Sequence, residues 1–144
     1  MYSVIQPSSP QQLENIFSLR FRVLRAPWNQ PRGSERDESE ETSIHALIED
    51  AQGNCIATGR LQFNSASVAQ VRFMAVDENH RRKQLGRLIL EFLEAKAKEN
   101  DRTKIVLQAR QNAVRFYQEQ GYAIEEKTFL LFDSIQHYRM SKKL

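Results

Sequence analysis

The chain has 144 residues and a mass of 16.8 kDa, a length typical of one domain, taken here as residues 1–144. Its 21 Lys and Arg residues against 18 Asp and Glu give a net charge of +3, which does not favour nucleic-acid binding. It has no run of about 18 apolar residues and no secretory-signal pattern near its first residue. With one cysteine, Cys55, and no Cys/His cluster at zinc spacing, we expect a cytoplasmic protein without a metal or a membrane partner.

Hydrophobic periodicity predicts strands and helices along most of the chain. In order, these are a strand over 2–5, a helix over 10–25, strands over 44–49, 55–63 and 68–76, a helix from Leu85, a strand over 105–107, a helix over 112–120, and strands over 122–124, 129–132 and 137–140. The polar segment 26–42, acidic at its end, is typical of a functional flap. Hairpins precede β-α-β crossovers, so we expect an α+β domain with a mixed, mostly antiparallel sheet of six to seven strands and about four helices.

A basic turn separates the strand 68–76 from the helix that begins at Leu85. Backbone N–H groups at a helix start lack partners, and the helix dipole is positive there, so such a turn can bind an anion. Gly86 lets a phosphate approach the backbone. A solvated helix start and a nucleic-acid contact are the alternatives. The positive charges around this turn belong to Arg81, Arg82, Lys83 and Arg87.

This turn resembles the acyl-CoA pyrophosphate loop of the GNAT superfamily of N-acetyltransferases, [QR]-x-x-G-x-[GA]. Here the pattern reads Arg81-Arg82-Lys83-Gln84-Leu85-Gly86, preceded by Met74-Ala75-Val76. Gln84 stands where the first glycine is usual, and we expect it to donate its backbone N–H from ordinary helical dihedrals. The resemblance implies a GNAT-like fold in which residues 74–76 splay from the strand 105–107 and face the thioester.

A second stretch, Asn112-Ala113-Val114-Arg115-Phe116-Tyr117-Gln118-Glu119-Gln120-Gly121-Tyr122, resembles the other GNAT motif, N-x-x-[AV]-x-x-[FY]-Y-x-x-x-G-[FY] in compact form. The resemblance implies that Tyr117 protonates the leaving CoA thiolate as the general acid. A core aromatic is the alternative for Tyr117, but two motifs in the right order favour the catalytic role. The residues that the resemblance assigns to acetyl-CoA, as co-substrate, are Met74, Ala75, Val76, Arg81, Arg82, Lys83, Gln84, Leu85, Gly86, Arg87, Asn112 and Phe116.

The two ends of the chain are similar to one GNAT subgroup. Leu19-Arg20-Phe21-Arg22-Val23 matches its L-R-x-x-V, followed by an acidic loop with Glu35 and Asp37 and by a strand histidine, His45. His137-Tyr138-Arg139-Met140 matches its terminal H-x-x-M. These matches extend the resemblance to nearly the whole chain.

The general base and the acceptor are less defined. The strand segment 70–73 has no carboxylate, so the candidate bases are His137, His45 and the acidic residues of the loop; each histidine is alternatively structural. We expect an amine acceptor, a small molecule or a peptide, bound by Arg20, Trp28 and Glu35. Arg20 alternatively pairs with an acidic loop residue or packs its stem. A homodimer is left open, and an acyl-CoA-binding or sensing module is the alternative function.

Overall fold

The sheet of the computed structural model, which describes residues 2–144, has six strands in the order β1-β2-β3-β4-β6-β5. Its elements are β1 (Ile44–Glu49), β2 (Cys55–Phe63), β3 (Val68–Val76), β4 (Lys104–Arg110), β5 (Ala123–Leu131), β6 (Ile135–Lys143), α1 (Pro10–Leu24), α2 (Leu85–Glu99) and α3 (Val114–Glu119). Only β3 and β4 pair in parallel; every other neighbouring pair is antiparallel. The predicted α+β class is confirmed, with three α-helices among these residues rather than about four.

Helix α1 packs on one side of the sheet. Ser9 caps it, because its hydroxyl accepts a hydrogen bond from the Gln12 amide at 3.2 Å, and Pro10 occupies the first helical position. The helix buries Ile16, Phe17, Leu19 and Leu24 against Leu47, Cys55 and Ala75. This side is called the α1 side below.

Helix α2 packs on the other side. Its apolar stripe, at the spacing expected of a half-buried helix, includes Leu85, Ile89 and Leu93. Strand side chains alternate between the two helices: Ala46 and Ile48 of β1 face α2, whereas Leu47 faces α1. This second face is the α2 side. None of the helices in residues 2–144 is long and apolar enough to span a membrane.

The ends of the chain differ from the predicted elements. The strand expected over 2–5 is reduced to one bridge between Ile5 and Leu47, since Pro7, two residues on, has no N–H to extend the ladder. The segments 122–124 and 129–132 largely belong to one long strand, β5. Its register with β6 shifts twice, between Ile124 and Glu126 and between Lys127 and Leu130, which breaks the alternation that marks a strand.

Strand β3 bulges and then leaves β4. Gly59 of β2 stands opposite both Phe73 and Met74, and Phe73 has a left-handed backbone with φ 55°. A Cβ on Gly59 would lie 2.6 Å from the Met74 sulfur, so the bulge requires glycine there. The β3–β4 ladder extends only to Val71 and Leu107, which confirms the expected splay of the central strands.

Candidate active site

Two cavities meet where β3 and β4 diverge. The α2-side groove has a volume of about 670 Å³ and extends from the β3 end along the turn before α2 to α3. The α1-side cavity has a volume of about 420 Å³ and lies among the end of α1, β3, β4 and the β5–β6 hairpin. Met74, Ala113 and Tyr117 line both. A ligand in each can therefore touch the other through the gap in the sheet.

The α2-side groove brings together the residues of the two sequence motifs. Every residue assigned to acetyl-CoA from the sequence lines it, with the exception of Lys83. The Lys83 ammonium group lies instead 3.4 Å from the Tyr2 hydroxyl. Asn112 is exposed and lies in the 3₁₀ turn Gln111–Ala113, so the predicted helix 112–120 is α-helical only from Val114.

The turn before α2 has an unusual backbone. Gln84, its N-cap, has φ 61° and ψ 25°, and Arg82 has φ 67°. The expectation of ordinary helical dihedrals at Gln84 is therefore wrong: the residue takes the left-handed conformation that favours glycine. Its side-chain oxygen accepts a hydrogen bond from Arg87 Nε at 2.8 Å, which holds the two side chains together at the helix start.

Gly86 is where the two motifs touch. A Cβ added to Gly86 would lie 3.3 Å from the Phe116 ring, so the glycine leaves room for this aromatic ring beside the helix start. Phe116 in turn meets Tyr117 edge to face, with ring centroids 5.0 Å apart. The glycine thereby sets how closely α3 approaches the anion-binding turn.

The rim of the groove carries positive charge. Arg81 and Arg82 are exposed and form no ion pair within residues 2–144, whereas Arg87 pairs with Glu91. A guanidinium nitrogen of Arg81 lies 3.5 Å from the Val76 carbonyl, at the end of β3. Two uncompensated cations and a helix start at one rim suit a di- or polyphosphate.

Tyr117 lies at the junction of the two cavities. Its side chain is buried, yet its hydroxyl makes no hydrogen bond with any group in residues 2–144. Burial raises the pKa of Tyr117, so the phenol is protonated at neutral pH. The neighbouring Tyr122 differs, because its hydroxyl donates to the Glu94 carboxylate at 2.8 Å. Of the two, Tyr117 is the phenol free to donate a proton to a ligand.

His137 lines the α1-side cavity. Its Nδ1 lies 3.0 Å from the Ile135 carbonyl oxygen, and its ring stacks on Phe129 with centroids 4.5 Å apart. Burial lowers the pKa of His137, and the charges of Arg110 and Arg25 lower it further. The neutral ring assigned from this contact donates from Nδ1 and keeps an unprotonated Nε2.

His45 lies away from both cavities, in a buried ionic cluster under the loop 26–42. Its Nε2 lies 2.9 Å from the Glu40 carbonyl and its Nδ1 lies 3.3 Å from a guanidinium nitrogen of Arg20. The same guanidinium holds both carboxylate oxygens of Glu40, at 2.9 and 3.0 Å. Arg20 is fully buried, so of the arrangements left open by the sequence it has the acidic loop partner.

The other predicted acceptor residues are also engaged within the loop. Glu35 is buried and accepts the Gly33 amide at 2.8 Å, and it lines neither cavity. Asp37 pairs with Arg60 at 2.6 Å and with Arg72 at 3.3 Å. Trp28 packs beneath the Arg110 guanidinium, 4.6 Å from its ring, and so contacts a cavity residue without lining the cavity itself.

The sequence analysis missed three arginines that line the α1-side cavity: Arg25, Arg72 and Arg110. Arg25 follows the last residue of α1, Arg72 lies on β3 and Arg110 ends β4. They come from three separate elements, so no spacing in the chain marks them as a group.

Comparison with known proteins gives the family. The sequence model of the acetyltransferase (GNAT) family matches residues 11–122. An uncharacterised N-acetyltransferase of Bacillus subtilis, YjcF, is 28% identical over 132 residues, which are 92% of this chain and 93% of that protein.

Solved structures agree on the fold. A GNAT-family acetyltransferase from Staphylococcus aureus MU50 superposes with a TM-score of 0.83 at 16% identity, over 100% of this chain and 99% of that one. A GNAT-family acetyltransferase from Elizabethkingia anophelis with acetyl-CoA bound gives 0.76 at 13% identity, over 99% and 98%. From the match over residues 11–122, this chain belongs to the acetyltransferase (GNAT) family.

Proposed function

We propose that this protein transfers the acetyl group of acetyl-CoA to a primary amine, with Tyr117 as general acid and His137 as general base. The observation that carries the proposal is the junction of two cavities at Tyr117. The α2-side groove receives acetyl-CoA, and the α1-side cavity receives the amine. Family membership supports the acetyl transfer, and the Elizabethkingia relative with acetyl-CoA bound supports the donor.

In the α2-side groove the pyrophosphate is bound by the turn before α2, with Arg81 and Arg82 beside it. The pantetheine arm extends between the end of β3 and α3 toward Tyr117. The splayed end of β3 has backbone N–H and C=O groups that β4 does not pair, since that ladder stops at Val71. These groups are available to the amides of the arm and to the thioester carbonyl, where a developing oxyanion needs a donor.

The reaction is a direct attack on the thioester. The amine nitrogen attacks the carbonyl carbon, a C–N bond forms, and the C–S bond breaks as the tetrahedral intermediate collapses. The proton lost by the nitrogen passes to Nε2 of His137, and the departing thiolate takes the proton of the Tyr117 hydroxyl. Exchange with solvent then returns His137 to its neutral form and Tyr117 to its phenol.

His137 is preferred to His45 as the base because of what their nitrogens contact. Both nitrogens of His45 are engaged by Arg20 and Glu40, whereas His137 uses only Nδ1 and faces the α1-side cavity. A lowered pKa keeps His137 unprotonated at neutral pH, as a base requires.

Calorimetric titration with acetyl-CoA tests the donor site. We expect micromolar binding by the wild type and none by Gly86→Trp, whose side chain would fill the groove beside Phe116. Arg81→Glu provides a gentler change on an exposed side chain and should weaken binding about tenfold. Lys98→Glu, an identical charge change on the exposed last turn of α2, is the matched control.

Failure to bind acetyl-CoA by a folded wild-type protein would overturn the proposal. Binding without turnover of any amine would also contradict it and would point to an acyl-CoA-binding module. Equal weakening by Arg81→Glu and Lys98→Glu would mean that only overall charge matters, not the turn before α2.

A further inference from the structure

The α1-side cavity has a one-sided charge. Three arginines line it, Arg25, Arg72 and Arg110, and no Asp or Glu does. Its remaining lining is apolar or uncharged, including Leu24, Phe129 and the amide of Gln108. A cavity that received a cationic amine would be expected to present carboxylates instead.

Arg25 and Arg110 are held side by side by the backbone. Both donate to the same carbonyl oxygen, that of Leu24, at 3.0 and 3.1 Å. Arg25 also donates to the Ser34 carbonyl at 2.9 Å, and Arg110 is stacked on Trp28. Two half-buried guanidinium groups are thus fixed next to each other, with no ion-pair partner for either in residues 2–144.

Two neighbouring cations in a partly buried site repel one another. Burial, followed by the charge of Arg25, lowers the pKa of Arg110 to about 10, so both groups remain charged at neutral pH. Glu35 acts on Arg25 from a distance, and Asp37 pairs with Arg72 at 3.3 Å. An anion bound between Arg25 and Arg110 would relieve a repulsion that the protein itself does not compensate.

The acidic loop does not supply a counter-surface for a cation. The carboxylates of Asp37 and Glu40 are taken up by Arg60 and Arg20, both fully buried. The sequence allowed this loop to attract a cationic amine, but in the fold these acids neutralise arginines under the loop.

We infer that the acceptor is an anionic amine: a small molecule carrying a primary amino group and a carboxylate or a phosphate, whose anionic end binds Arg25 and Arg110. This inference rests on the proposed function. The anion is held at the end of α1 and β4, and the amino group reaches between Tyr117 and His137. Carboxylate and phosphate share the planar or trigonal oxygens that a guanidinium binds in pairs, so both are included.

The test measures CoA release with matched amines that differ only in the anionic group. One arm compares the common amino acids with their carboxamides, a second compares O-phosphoethanolamine with ethanolamine, and a third uses spermidine as a cationic amine. Rates are expressed per unprotonated amine. We expect at least one anionic member to exceed its neutral partner about tenfold or more, and spermidine to be the poorest substrate. The first two arms distinguish a carboxylate from a phosphate.

Arginine variants then locate the anion. Arg110→Gln should raise the KM of the preferred anionic amine about 10- to 100-fold and leave its neutral partner and the KM of acetyl-CoA within about twofold. Arg110→Lys, which keeps the charge, should recover part of the loss. Arg115→Gln, an exposed arginine on α3 outside the cavity, is the matched control.

Faster turnover of neutral amines or of spermidine would overturn the inference. So would a protein that binds acetyl-CoA but turns over no anionic amine, or an equal KM change for both members of a pair in Arg110→Gln. Loss of acetyl-CoA binding would instead overturn the proposed function, so the two failures are distinct.

Discussion

The Nδ1 atom of His137 lies 3.0 Å from the carbonyl oxygen of Ile135, two residues earlier on β6. The backbone of one strand therefore fixes the tautomer of this imidazole and turns its other nitrogen toward the α1-side cavity. A histidine held in this way needs no acidic partner to orient it, which fits a strand β3 without a glutamate.

The role of His137 predicts a pH profile. Since burial and nearby arginines lower its pKa, Nε2 stays unprotonated down to below the usual imidazole value of about 6.5, and kcat/KM falls only as the pH drops through the lowered pKa. His137→Gln should reduce kcat/KM by about 10²-fold or more and remove this acidic limb. An unchanged limb in the variant would contradict the assignment. His45→Gln should keep the limb and lower the melting temperature, because it leaves Arg20 and Glu40 short of a partner.

Tyr117 and Tyr122 form a matched pair. Tyr117→Phe removes a hydroxyl with no hydrogen bond in residues 2–144, so stability should be almost unchanged while kcat falls about 10²-fold or more. Tyr122→Phe removes the bond to Glu94, so stability should fall by about 1 kcal/mol while kcat is retained. Denaturation curves and steady-state rates check both. The reverse pattern, a stable Tyr122→Phe with low kcat, would show that the acid is misassigned.

The left-handed backbone at Gln84 predicts a stability difference between two small substitutions. Both Gln84→Gly and Gln84→Ala lose the hydrogen bond from Arg87, but only glycine adopts φ 61° without a steric cost. Gln84→Gly should be more stable than Gln84→Ala by about 1 kcal/mol, and acetyl-CoA binding should persist in the glycine variant. Chemical denaturation and calorimetry measure the two quantities. Equal stability of the variants would mean that the turn relaxes.

The cluster under the loop 26–42 predicts a large stability effect from one charge. Glu40 binds both Arg20 and Arg60, each fully buried, so Glu40→Gln leaves two buried cations undercompensated. We expect a loss of about 3 kcal/mol in the free energy of unfolding. Glu38→Gln, the same change at an exposed position of the same loop, should alter stability by less than about 0.5 kcal/mol. Similar values for the two would contradict a structural role of the cluster.

The donor side of the site is readable from the sequence because its residues lie close together in the chain. Residues 74–87 form a strand end, a turn and a helix start, and 112–122 form the next contact, so both motifs survive as local spacings. The conformation of Gln84 was not predictable from its residue type, since the left-handed region is set by the turn and disfavours glutamine.

The acceptor side is not readable in the same way. Arg25, Arg72 and Arg110 meet only after β4 is inserted beside β3, and each is an ordinary polar residue in its own segment. The C-terminal strands were divided wrongly for a related reason, because the two register shifts in β5 erase the alternation on which a strand prediction depends.

The splay of β3 from β4 has a kinetic consequence. Acetyl-CoA and the amine each have a separate entrance, one on the α2 side and one on the α1 side, and the two chambers share only Met74, Ala113 and Tyr117. Neither substrate blocks the path of the other, so both can be bound before any bond changes. Initial-velocity plots should intersect rather than run parallel, and free CoA should compete with acetyl-CoA without competing with the amine.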